Sequence, residues 1–262
     1  MVTVKIDGTK TSVPEQTSIL EAARDTGIQI PTLCYHRALG PQGACRMCIV
    51  EAEGPRLEKT VLAACSTSAV DGLVVETSSD LIRRLRQDIM GLILSGTEAT
   101  DRLKAMARRA GVPNGRSTRL KEDPCILCGL CVRACSEIIK ARALSFRAAP
   151  SHKHRVAEEV AFDPERCIGC GTCAVLCPVA AVKVEDKGRR RDVILYGKRV
   201  RRFALVSCAL CGKPFTTEEH INFVSSRITG DPGGTIGNAC PECSRSRFAV
   251  ALTGMFPVGT ER

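Results

Sequence analysis

Apolar and polar residues alternate over residues 2–7 (VTVKID), the period of a half-buried strand. Gly8 and Thr9 supply a turn. A helix is then expected from Ser18, which stands in capping-box spacing with Glu21, to Gly27, a residue suited to a helix end. Short apolar stretches at 47–52, 61–65 and 73–77 read as further strands. Together these predict a small mixed sheet with one helix across it. From 79 to 96 the rhythm changes: Leu81, Leu85, Ile89 and Ile93, with Leu92 beside them, recur at helical spacing. A second, Arg-rich helix is expected over 101–110, ended by GVPNG at 111–115. Residues 125–136 (CILCGLCVRACS) and 167–178 (CIGCGTCAVLCP) repeat one unit. A basic strand at 187–202 (KGRRRDVILYGKRVRR) follows, and FAVALTGMFPVG at 248–259 is apolar enough to dock on something.

Composition changes this picture in one respect. The 262 residues include 16 Cys but no Trp, 2 Tyr and 7 Phe, so aromatic burial is scarce and metal coordination is expected to help hold the fold. A disulfide framework would suit a secreted chain, yet MVTVKIDGTK offers no apolar signal core. The expectation is a cytoplasmic protein, with no run of 18 apolar residues to span a membrane. The formal charge of +10 suggests an anionic partner. Sixteen thiolates in four sites with cores of about +2 each would add roughly −8, leaving a holoprotein near +2.

Three cysteine constellations carry the chemistry. Cys34, Cys45, Cys48 and Cys65 are spaced C-x10-C-x2-C-x16-C, three on one loop and one beyond it. That pattern suits a [2Fe-2S] cluster, each iron taking two thiolates, with the small residues of PQGAC letting backbone amides reach sulfur. Structural zinc, which favours two compact knuckles, fits the spacing less well. The repeat follows C-x2-C-x2-C-x3-C-P, complete at Cys167, Cys170, Cys173, Cys177 and Pro178, and with Ser136 replacing proline in the first copy. Cys208, Cys211, Cys240 and Cys243 form two knuckles suited to tetrahedral zinc, or to a mononuclear iron with the same ligands.

With PTLCYH and the strands and helix before it, residues 1–78 resemble the β-grasp module that opens the G-type subunit of respiratory NADH:quinone oxidoreductase and related hydrogenase and formate dehydrogenase subunits. The repeat resembles bacterial dicluster ferredoxins, in which the fourth Cys of each run serves the other cluster. That implies one [4Fe-4S] cluster on Cys125, Cys128, Cys131 and Cys177, and a second on Cys135, Cys167, Cys170 and Cys173. The tail is similar to that of some hydrogenase-linked dicluster subunits. One departure stands out: the G-type subunits carry a further cluster on one His and three Cys after the β-grasp domain, but residues 79–124 contain neither residue type. That cluster is expected to be absent.

The fold class expected is therefore α+β: a β-grasp [2Fe-2S] domain (1–78), a helical connector (79–120), a dicluster domain (121–186) and a basic strand with a zinc-ribbon tail (187–262). The resemblance implies a non-catalytic subunit that relays single electrons. Its partners would be a flavoprotein subunit exchanging electrons with NAD(P)H and a catalytic subunit such as a hydrogenase, formate dehydrogenase or low-potential reductase. Alternatives are a free polyferredoxin and a redox-sensing nucleic-acid binder. Nucleic acid is not expected, because the basic stretch offers only Tyr196 for base stacking. His36, His152, His154 and His220 read as surface residues rather than ligands, and GDPGG at 230–234 as a turn rather than a phosphate loop.

Overall fold

The N-terminal alternation builds strand β1 (Val2–Ile6), which buries Val4 and Ile6 and returns as β2 (Thr9–Val13). Asp7 and Gly8 between them both have positive φ, 46° and 85°, the two-residue turn whose twist matches a hairpin. The computed structural model describes residues 1–97, 100–112, 124–148, 157–227 and 239–246. The chain divides into two compact units, residues 1–162 with 173–181, and residues 163–172 with 182–262.

In the first unit, α1 (Ile19–Asp25) begins at Ser18, whose hydroxyl accepts from the Glu21 N–H at 3.2 Å, as the capping pattern predicts. It buries Ile19, Leu20, Ala22 and Ala23 against a five-stranded sheet ordered β2-β1-β5-β3-β4, where β3 is Ile49–Gly54, β4 Leu57–Ala63 and β5 Leu73–Glu76. The central β1–β5 pairing is parallel and the others antiparallel. β4 starts earlier than its apolar stretch suggests, because Glu58, Lys59 and Thr60 sit exposed on an edge strand and need no apolar alternation. The core of Ile6, Leu20, Val50, Leu73 and Val75 lies between helix and sheet, each side chain at most 2% exposed and contributing roughly 1.5–3 kcal/mol.

Helix α2 (Asp80–Gly96) is capped by Ser79 and α3 (Asp101–Arg109) by Thr100, each hydroxyl accepting from the N–H three residues on. The buried stripe of α2 is offset from the most obvious apolar positions: Ile82 and Met90 are fully buried, while Leu81 is 41% and Leu92 71% exposed. Then come α4 (Leu130–Arg133), continued by a π-turn at Ala134–Ile138, the hairpin of β6 (Leu144–Ala148) and β7 (Ala157–Phe162), and the short α5 (Thr172–Leu176).

The second unit holds an antiparallel sheet ordered β11-β10-β9-β8, from β8 (Val182–Lys187), β9 (Arg190–Leu195), β10 (Lys198–Ser207) and β11 (Pro214–Thr217), followed by α6 (Glu218–Ser225). The basic stretch is thus two strands rather than one. Tyr196 and Gly197, with φ of 51° and 75°, make a tight turn that its charge density hides. Much of that charge is paired within the sheet, Arg191 with Asp186 and Arg202 with Asp192. Among the described residues no helix is long and apolar enough to cross a membrane. His152, His154, the turns read at 113–115 and 230–234, and the apolar stretch at 248–259 lie outside the described residues.

Candidate metal centres

The first unit gathers Cys34, Cys45, Cys48 and Cys65 at one end of its sheet. Cys34 follows α1, Cys45 and Cys48 precede β3, and Cys65 follows β4, tied in by the Ala64 N–H on the Cys48 carbonyl at 3.0 Å. Cys34, Cys48 and Cys65 are each 1% exposed. The four thiols act on one another in two pairs, Cys34 with Cys45 and Cys48 with Cys65, and the Cys45 N–H meets the Cys34 sulfur at 3.4 Å. The Cys45 thiol and the amides of Cys45 and Ala44 converge on the Cys34 sulfur and pull its pKa to about 6. The Cys48 thiol, the Gly43 amide and the Ser66 hydroxyl bring Cys65 to about 7. Their partners Cys45 and Cys48 are pushed up, first by those thiol bonds and then by burial. A set of four sulfurs in two pairs, three of the cysteines buried and Cys45 partly so, met by backbone amides, fits a [2Fe-2S] core, which needs two thiolates per iron and N–H donors to sulfur.

Arg86 reaches this loop from α2. Its Nε donates to the Met47 carbonyl at 3.1 Å and its Nη2 to the Ile49 carbonyl at 2.6 Å, bracketing Cys48. Sequence reading missed it. The available signal was a charge four residues from both Ile82 and Met90, in the middle of a buried stripe.

In the same unit, Cys125, Cys128, Cys131 and Cys177 converge. Cys125 and Cys177 lie close enough to Cys128 and Cys131 to oppose their ionisation. Burial is the larger cause, pushing Cys128 up to about 12 and Cys131 higher. The Leu127 N–H meets the Cys125 sulfur at 3.4 Å and the Ala181 N–H the Cys177 sulfur at 3.2 Å. Cys177, from the second copy of the repeat, therefore sits with three cysteines of the first. Four thiols of this kind fit a cubane cluster. Gly129 is required where it stands: its φ is +76°, and a Cβ there would lie 3.3 Å from Phe146 and 3.4 Å from Gln42.

This second loop shares a wall with the first. Cys34, Leu39, Cys128, Leu130 and Ala134 form one buried cluster, with Cys45, Ile126 and Leu176 packed on it. Arg133 on α4 donates to the Gly40 carbonyl at 3.5 Å and the Pro41 carbonyl at 3.3 Å, linking the loops a second time.

Of the remaining repeat cysteines, Cys135 accepts from the Ala143 N–H at 3.2 Å, and Cys173 is among the groups facing Cys131. Cys167 and Cys170 belong to the second unit, on a loop held by its sheet. The Thr217 hydroxyl donates to the Ile168 carbonyl at 2.5 Å and Arg191 to the Gly169 carbonyl at 2.9 Å.

The second unit also brings Cys208, Cys211, Cys240 and Cys243 together, all four sulfurs within 4.8 Å of one another. Tetrahedral zinc with bonds of about 2.3 Å sets its thiolates about 3.8 Å apart, and the Cys211 and Cys240 sulfurs are 3.9 Å apart. Amides of Cys240, Cys211 and Leu210 hold Cys208 down at about 6. His36 is exposed, as expected. His220 is half-buried, bonded to Thr216 at 3.0 Å, and desolvation lowers its pKa.

Residues 1–80 match the 2Fe-2S iron-sulfur cluster binding domain and residues 124–181 the 4Fe-4S dicluster domain. The chain is an iron-sulfur protein that joins these two kinds of module. It is 35% identical over 206 residues to the NADPH-Fe(3+) oxidoreductase subunit alpha of Geobacter sulfurreducens, across 70% of this chain and 24% of that protein. It is 31% identical over 210 residues to a G-type subunit of the NADH-quinone oxidoreductase of Rhizobium meliloti, again across 70% of this chain and 24% of the relative. The chain thus spans about a quarter of the length of these relatives. A solved NAD+-reducing [NiFe]-hydrogenase in the H2-reduced state aligns with 56% of this chain and 71% of its own, at 29% identity and a TM-score of 0.49.

Proposed function

We propose that the chain relays single electrons within a multi-subunit oxidoreductase, from a flavin-bearing, NAD(P)H-linked subunit toward a catalytic subunit, or in reverse. In this reading Cys34, Cys45, Cys48 and Cys65 hold a [2Fe-2S] cluster on a β-grasp domain. Cys125, Cys128, Cys131 and Cys177 hold one [4Fe-4S] cluster, and Cys135, Cys167, Cys170 and Cys173 the other. Cys208, Cys211, Cys240 and Cys243 hold a structural zinc in a ribbon-like tail, their closed thiolate shell leaving no position for substrate. The clusters supply one-electron chemistry when bound. The chain's own part is to fix their spacing, exclude water and set their potentials through amides, burial and charge.

The single observation that carries the relay is the shared wall between the cysteine loops, with Cys34 and Cys128 in one buried cluster. A cluster held by Cys34 and one held by Cys128 would be neighbours, with no need for the His-and-Cys cluster that residues 79–124 cannot form. The relatives, subunits of NADPH- and NADH-linked oxidoreductases, support the choice of partners. Native mass spectrometry of protein isolated without oxygen from its own host tests the reading. Expected are companion flavoprotein and catalytic subunits, with about ten iron and one zinc on this chain. A chain that travels alone with the same metals would contradict the complex.

A further inference from the structure

Arg86 is the charged residue that brackets Cys48. It lies on the buried stripe of α2, where long side chains are ordinarily apolar, and it is half-buried. Among the described residues no carboxylate lies within ion-pair distance of it. Its two fixed bonds go to carbonyl oxygens, of Met47 at 3.1 Å and Ile49 at 2.6 Å. It also lines a cleft of about 750 Å³ whose other charged residues are Arg83, Arg102 and Arg109, so no acid there offsets it. Desolvation lowers its pKa, and the groups that act against that loss are Cys48 and Asp7. Asp7, which accepts from the N–H and hydroxyl of Thr77, makes no ion pair with Arg86 and does not outweigh the desolvation. A desolvated guanidinium with no carboxylate in contact is costly unless some other negative group stands near it.

A [2Fe-2S] core with four thiolates is such a group, with a charge of about −2 oxidised and −3 reduced. We infer that Arg86 is the built-in counter-charge of the [2Fe-2S] cluster, a positioning residue that clamps the Cys48 loop and raises the cluster's reduction potential. The sign follows from electrostatics: a fixed positive charge stabilises the more negative, reduced form more than the oxidised one. The planar guanidinium is suited to the task, because its fork spans two carbonyls on either side of Cys48 while keeping its charge at any working pH. The inference rests on the ligand set proposed above.

The test is a redox titration of the anaerobic full chain, following the electron paramagnetic resonance signal of the reduced [2Fe-2S] cluster, in wild type, Arg86→Gln and Arg86→Lys. Arg86→Gln removes the charge and is expected to shift the reduced-to-oxidised equilibrium about tenfold toward oxidised, about 59 mV lower in potential for one electron. Arg86→Lys keeps the charge and should stay within about threefold of wild type. An unmoved potential in a fully loaded Arg86→Gln, or equal shifts in both variants, would overturn the inference. So would an equal shift of the [4Fe-4S] signals, which would mark a global change. If Arg86→Gln assembles no cluster, Arg86→Lys decides: full loading at a near-wild-type potential supports the charge, and an empty or tenfold-shifted site refutes it. A wild type with no [2Fe-2S] signal at all would instead refute the ligand assignment on which the inference depends.

Discussion

Two residues show how closely backbone conformation and cluster binding are joined. Gly169 lies between Cys167 and Cys170 with φ of +69°, and a Cβ there would lie 2.7 Å from Thr217 and 3.0 Å from Phe203. Gly169→Ala combines left-handed strain of about 1–2 kcal/mol with that collision. The expected outcome is loss of the [4Fe-4S] cluster built on Cys167 and Cys170 while the other cubane persists, read as about four iron lost per chain and one resonance signal missing. Cys177 belongs by sequence to the second run but by position to the first. Cys177→Ser should therefore damage the cubane on Cys125, Cys128 and Cys131 and spare its neighbour; spectra showing the reverse would reject the crossed assignment.

At the scale of elements, the connector helices fasten to the cluster loops through their caps and flanks. The Thr100 hydroxyl accepts from the Leu103 N–H and donates to the Pro178 carbonyl at 3.0 Å, one residue past Cys177. Thr100→Val removes both bonds and should cost about 1–2 kcal/mol. The check is an earlier thermal bleaching of cluster absorbance than in wild type. Much of this level was legible in the sequence. The Ser18–Glu21 pattern located α1, the apolar spacing located α2, and strand alternation located β1. What escaped has physical causes. β4 is an edge strand with exposed polar residues, the β9–β10 turn hides in a run of arginines, and the true buried stripe of α2 includes Arg86, a residue no apolar count would place there.

At the scale of the whole molecule, the cysteine spacing marked sixteen candidate ligands in three constellations, and the resemblance of the repeat to dicluster ferredoxins implied the crossing of its two runs. The spacing left open how one group stands to another, since that depends on packing between segments distant in the chain. Zinc can be tested apart from iron: Cys208→Ser should lose about one zinc per chain and leave the iron count unchanged, by elemental analysis of the purified protein. The relay itself is tested most directly by the resonance spectrum of the fully reduced protein. If Cys34 and Cys128 hold neighbouring clusters across their shared wall, the [2Fe-2S] signal must broaden or split through magnetic coupling when the [4Fe-4S] cluster beside it becomes reduced. A [2Fe-2S] spectrum unchanged by reduction of that cubane would contradict the account.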